Sequence, residues 1–250
     1  MYPDRAKKIL KFIIPPVFWL GVWQLVAMLV GLELLLPTPA AVFRALFRLA
    51  ATEHFWMSSG MSLARIFIGL LSGALLGGLL AFLTQFCRWA DLLLSPAIRV
   101  LRATPVVSFI LLVYLWVTRT NIPGLISGLM VLPVVWGSLT AGLASVDRQL
   151  LELAHAYRFT SFKTLRLIYL PSLRPYFISG FLNAFGLAWK SGVAAEVICP
   201  PKYAIGSQIK QARDALESPE LFAWTLVIIV LSLVLEALLR RILKNKEGKA

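Results

Sequence analysis

Histidine and cysteine are almost missing from this chain, two of each in 250 residues, and acidic residues number only 12. Cys87 and Cys199 show no CxxC or Cys/His spacing that would hold a metal, and the span order below puts them on opposite sides of a bilayer, which argues against a disulfide. Both read as packing residues. His54 and His155 are separated in the same way, and no carboxylate pair or Ser/His/Asp set falls at membrane depth, so catalysis has no constellation to work through. A GxxxxGK[ST] phosphate loop is also missing, so the chain does not hydrolyse ATP itself. No catalytic residue, metal ligand or cofactor is expected.

Charge is scarce at 15%, against 59% apolar residues and a mean hydropathy of +0.79. Soluble domains sit nearer half apolar and a quarter charged. Apolar runs near twenty residues have the length that carries a helix across the ~30 Å hydrocarbon layer of a bilayer. The expected fold class is all-α, a polytopic membrane helix bundle. The net charge of +13 would suit nucleic acid, but its distribution follows membrane orientation instead, and no nucleic-acid partner is expected.

Six transmembrane helices are expected at roughly 12–30, 60–84, 100–118, 122–143, 174–197 and 221–240. The first follows Arg5, Lys7, Lys8 and Lys11 as a signal peptide's apolar stretch would, yet it is long and lacks a cleavage site, so it reads as a retained span. Pro105, Pro123 and Pro133 interrupt the third and fourth. With the N-terminus inside, 17 of the 25 Lys and Arg residues fall on cytoplasmic segments and 7 outside, with Lys190 inside a span. That bias sets both termini in the cytoplasm of a bacterial-type inner membrane. The expected organisation is a cytoplasmic segment 1–11, a transmembrane domain 12–243 and a charged, frayed tail 244–250.

Between the first two spans, Val42, Leu46 and Leu49 alternate with Arg44 and Arg48 as an amphipathic helix along the outer interface. The polar stretch 200–219 could fold over the outer mouth. Gly69, Gly73 and Gly77 line one face of the second span, and Gly180, Ala184 and Ala188 one face of the fifth. Such small-xxx-small faces let backbones approach in lipid.

Residues 147–171 spend many polar side chains on something other than spanning. Asp147 is placed to cap a short helix on which Leu150, Ala154 and Tyr157 share a face. Phe159-Thr160-Ser161 breaks it, and Thr160 or Ser161 can cap a second helix that ends at Leu170-Pro171. A solvated amphipathic connector would look similar; the spacing distinguishes this one. The loop resembles the EAA loop of binding-protein-dependent ABC importer permeases, E-A-A, a glycine four positions on, then I-x-L-P. Glu152, Ala154, Ile168, Leu170 and Pro171 fall in that register, while Leu153 replaces an alanine and Arg158 the glycine. Leu36-Pro37-Thr38-Pro39, Arg65, Arg102-Ala103-Thr104-Pro105 and Gly186 to Glu196 look like the aliphatic sulfonate, taurine and nitrate branch.

The resemblance implies a methionine-importer-type (MetI-like) fold, a second permease subunit favoured as a second copy of this chain, a cytosolic ABC ATPase dimer and an extracytoplasmic substrate-binding protein. It makes Glu152, Ala154, Arg158, Ile168, Leu170 and Pro171 the ATPase-coupling residues, with Glu152 the polar contact and Arg158 beside it. A small anion such as a sulfonate, taurine or nitrate is the first-choice solute, a thiamine precursor or other heterocycle the second. Asn183, Trp189, Lys190, Ser191 and Glu196 are the candidates along the pathway, since an unpartnered Lys facing lipid at helix centre costs roughly 2.5–3.5 kcal/mol. An ion-coupled carrier would fit the spans but would leave the 147–171 segment unexplained and should show acidic groups at midplane.

Overall fold

Helix caps and prolines divide the chain into helices from end to end, and among the described residues there is no strand. The structure, a computed structural model, describes the backbone of residues 3–245 and the side chains of 14–243. The basic side chains Arg5, Lys7, Lys8 and Lys11 and the expected charged tail therefore lie outside the described residues. In order the elements are α1 (Pro3–Val30), α2 (Pro39–Ala50), α3 (Glu53–Phe86), α4 (Arg88–Ala103), α5 (Val106–Tyr114), α6 (Ile122–Ala144), α7 (Arg148–Ala156), α8 (Ser161–Thr164), a π-helical turn (Leu165–Tyr169), α9 (Leu170–Ile198), α10 (Ile205–Asp214) and α11 (Ser218–Asn245).

Thr38 and Thr52 open α2 and α3 by accepting the Ala41 and Phe55 N–H groups, each at 3.3 Å, which satisfies donors that a helix start leaves free. The amphipathic reading of α2 holds: Val42 and Ala45 pack on Ala223, while Arg48 reaches outward to Glu220 at 2.5 Å. Trp23 ties α1 to this corner by donating to the Pro37 carbonyl at 3.1 Å.

Among the described residues three helices are long and apolar enough to cross a bilayer, Glu53–Phe86, Ile122–Ala144 and Ser218–Leu243. They match the second, fourth and sixth expected spans. The described part of α1, Ile14–Val30, is a shorter apolar helix. α9 has the length at 29 residues but carries Arg174, Lys190 and Glu196, and it packs against α3, α6, α10 and α11 rather than standing in lipid. The third expected span is corrected. Its helix begins at Arg88, breaks at Thr104-Pro105 and turns through 104° into α5. Pro105 has no N–H to continue the ladder and pushes Thr104 into extended backbone, ψ 133°, as a residue before proline prefers. Nine residues of α5 rise only about 14 Å, less than half of a hydrocarbon core.

The bundle is built on α6. A Cβ added to Gly69, Gly73 or Gly77 of α3 would lie 2.1, 2.4 or 2.6 Å from the carbonyl oxygens of Gly124, Gly128 and Leu132, so the two backbones touch along the whole glycine face. α9 packs beside α3 on α6 in the same way: Gly180 lies against Ser138, and Gly192 against Ile66 of α3 and against Ser127, whose Oγ donates to the Ala188 carbonyl at 3.1 Å. Phe185, Trp189, Ile66, Leu70, Val131 and Trp224 fill the core between them.

Because the Gly73 site has backbone on its far side, Gly73→Ala must push α3 off α6. The expected cost is about 1–3 kcal/mol, read as a lower Tm of the detergent-solubilised protein, whereas Gly60→Ala, with open space around it, should leave Tm unchanged.

Candidate functional site

Asp147 begins the 147–171 segment by accepting the Gln149 N–H at 2.8 Å, as its cap position requires. The buried face of α7 is not the one expected. Leu150 and Tyr157 are exposed, and Ala154 with half-buried Leu151 packs on Val146, Ile168 and Tyr169. The turn geometry explains the shift, because the chain must fold back over Ala154 to bring Ile168 beside it.

That reversal happens at Arg158, whose φ is +50°. The Arg158 N–H donates to the His155 carbonyl at 3.0 Å and the Phe159 N–H to the Ala154 carbonyl at 2.9 Å, the two bonds of a Schellman helix end. Glycine adopts this left-handed backbone without penalty; an L side chain strains there by about 1–2 kcal/mol. The chain keeps the turn and accepts the strain. Thr160 then caps α8 by accepting the Lys163 N–H at 3.4 Å.

The helix does not end at Leu170-Pro171, as the sequence suggested. It runs through the π turn, closed by the Leu170 N–H on the Leu165 carbonyl, straight into α9. Proline at the first turn of a helix loses no needed donor, and the widened turn shifts the ladder one residue so that Pro171 falls there. Ile168 is buried on α7, and Tyr169 stands edge-on to Phe86 at the end of α3, 5.7 Å between rings. Glu152, Arg158, Leu170 and Pro171 are exposed, beside Leu153, Tyr157 (71% exposed) and Phe162 (70%). An apolar patch with charges of both signs thus sits on a segment rigidly joined to the central helix.

The pathway candidates separate into two groups. Trp189, Ser191 and Glu196 are buried inside the bundle: Trp189 donates to the Ile228 carbonyl, and Ser191 to that of Ala188. Glu196, 0% exposed, accepts Ser62 Oγ at 2.8 Å and the Gly206 N–H at 3.1 Å, with Arg65 Nη1 at 3.8 Å. Arg65 in turn donates to the Tyr203 and Lys202 carbonyls at 2.9 and 3.0 Å. This polar knot ties α3 and α9 to the 199–206 turn and α10. Its partner Arg65 was missed in the sequence, where the two residues are far apart.

Asn183 and Lys190 are exposed instead, on one stripe of α9 with Tyr176, Ser179 and Leu187. The spacing of three and four residues that marks a helix face was visible in the sequence. A cavity of about 410 Å³ opens on this stripe between α4, α6 and α9. The larger cavity, about 850 Å³, is an apolar cleft between α3 and α9 with Arg174 at its edge, suited to acyl chains rather than a polar solute.

Residues 73–247 match the family described as the binding-protein-dependent transport system inner membrane component. The chain belongs to that family: it is a permease subunit of an ABC importer, a multi-pass membrane protein that leaves ATP hydrolysis to a separate subunit. Its relatives include permeases to which transport of sulfonates, taurine and riboflavin is attributed. It is 29% identical to SsuC of Escherichia coli (strain K12), to which transport of aliphatic sulfonates is attributed, over 91% of this chain and 84% of that one. It is 28% identical to the taurine transport system permease protein TauC of the same strain, over 88% and 82%. To the riboflavin transport system permease protein RibX of Chloroflexus aurantiacus it is 27% identical, over 90% and 86%. A crystal structure of an amino acid ABC transporter with histidines superposes with a TM-score of 0.62 at 19% identity, covering 76% of this chain and 91% of that one; it shows the same fold.

Two substitutions test this geometry. Arg158→Gly should relieve the left-handed strain by about 0.5–1 kcal/mol, read as slower amide exchange at Phe159. Glu196→Ala leaves Ser62 and the Gly206 N–H without their acceptor and Arg65 without its neighbouring carboxylate; it should cost about 3–5 kcal/mol, read as a lower Tm, with Glu196→Gln intermediate because it still accepts from Ser62.

Proposed function

We propose that this chain moves a small anion, a sulfonate, taurine or nitrate, delivered by an extracytoplasmic binding protein. In this reading two copies form the membrane part, an ABC ATPase dimer sits below them, and both termini and α7 face the cytoplasm. Segments 1–11 and 244–250 flank a single permease domain, 12–243.

The observation that carries it is the unbroken path from the exposed patch on α7, through Ala154 on Ile168 and the π turn, into α9. Displacement applied at Glu152, Leu153 and Tyr157 is passed to the central helix because buried contacts and a continuous helix leave no slack to absorb it. Glu152 and Arg158 offer the partner polar contacts at the rim. Asn183 and Lys190 lie on the face of α9 along which the solute passes, and the positive charge of Lys190 suits an anion. The likeness to RibX favours a heterocycle as the second reading; binding of taurine, ethanesulfonate, nitrate and riboflavin to the cognate binding protein separates the two.

Glu152→Lys should cut co-purification of the ATPase about tenfold, the scale of losing one interfacial charge contact, while the permease itself still folds. Retained ATPase would sink the docking role. Lys190→Met should lower anion uptake in proteoliposomes without changing ATPase binding.

A further inference from the structure

We propose that Arg102, held at the break between α4 and α5, forms with Asn183, Ser138 and Ser179 an oxyanion-binding subsite on the solute pathway. This rests on the anion-import reading and extends it to a residue that the sequence marks only as the first of the Arg102-Ala103-Thr104-Pro105 stretch, with no role.

The break at Thr104-Pro105 is what brings Arg102 here. Its guanidinium reaches α6 where Gly137 has no side chain: Nη1 lies 4.0 Å from the position a Cβ would take. Arg102, Ser138, Ser179 and Asn183 line the 410 Å³ cavity together, with Val134 and Ala141 as its apolar wall. That volume is within the ~300–1,000 Å³ of small-molecule sites. Gly137 stands seven residues from the end of α6, so the site is about 10 Å inside the bundle from its α7 end. Lys190 lies two helical turns further along the same stripe of α9.

Arg102 makes no ion pair among the described residues. α5 and α6 contain no acidic residue, and the only one on α9, Glu196, is buried in the knot with Ser62 and Arg65. On α4, Asp91 accepts from Ser95. A second copy packed on this face through α5, α6 or α9 would bring no exposed carboxylate either. A guanidinium at this depth faces water or a ligand, not lipid. Its planar fork matches two oxygens of a sulfonate or nitrate, the amide and hydroxyls supply further donors, and the apolar wall accepts a short alkyl chain.

The test uses the complete transporter, this chain with its ATPase and binding protein, in proteoliposomes, with labelled taurine, ethanesulfonate, nitrate and uncharged riboflavin as probes. Wild type should accumulate an oxyanion, Arg102→Gln should lower that uptake about tenfold, and Arg102→Lys should recover part of it. Oxyanion uptake unchanged in Arg102→Gln overturns the subsite and leaves anion import standing. Accumulation of riboflavin alone overturns both. A second measurement needs neither coupling nor a known solute. In a Cys87→Ser, Cys199→Ser, Asn183→Cys background, the ratio of labelling rates by anionic and cationic thiosulfonate reagents should fall about tenfold on Arg102→Gln. An unchanged ratio means that the guanidinium does not act on that cavity, and the proposal fails.

Discussion

Backbone laid directly on backbone, α3 against α6 at Gly69, Gly73 and Gly77, is the contact on which the bundle depends. In lipid the hydrophobic effect does not hold helices together, since acyl chains solvate leucine as well as another helix does; close packing and hydrogen bonds between helices remain. Removing side chains along one face of α3 lets its surface meet the carbonyls of α6. With α6 fixed there, the groove between α3 and α6 seats α9 at Gly180 and Gly192. The exposed stripe of α9 from Tyr176 to Lys190 is then left along one edge of that contact, where its first turns share a cavity with α4 and α6. The packing that seats α9 on α6 therefore also sets where its exposed stripe lies.

Residues 147–171 follow the same economy of contact. α7 is nine residues long, too short to persist alone in water, and only Ala154 is fully buried on it. Its rigidity comes from both ends: the Asp147 cap and the Schellman bonds around Arg158. The left-handed Arg158 is informative because the strain is tolerated only where surrounding bonds over-determine the turn. A floppy connector would have relaxed it. The π turn does the remaining work by letting the segment join α9 without a break despite Pro171.

What could be read in the sequence was whatever depends on local periodicity. The glycine faces, the amphipathic α2 and the Asp147 and Thr160 caps all show at spacings of two to four residues. Three of the apolar spans followed from their length alone. Features that depend on meetings across the chain did not show. The Arg65–Glu196 pair joins residues on different helices, and the seating of Ala154 on Ile168 depends on a left-handed turn that no Arg announces. The broken third span was a misreading of another kind. Apolar composition continues through Thr104-Pro105, and composition carries no direction, so a 104° bend leaves the hydropathy of the stretch unchanged.

Two ways of housing a cation at membrane depth stand side by side in this fold, and the contrast gives each its meaning. Arg65 is satisfied by two carbonyls and sits near the carboxylate of Glu196; its charge is spent on holding α10 against α3 and α9, and a passing anion would have to displace protein ligands to reach it. Lys190 and Arg102 have the opposite surroundings, an exposed face with no carboxylate from α5, α6 or α9. A protein could avoid the cost of such charges by placing leucine there, as it does over most of α3. Among the described residues neither Lys190 nor Arg102 has a carboxylate partner, and in the anion pathway proposed above the counter-charge is the solute itself, which binds for the length of its passage and leaves.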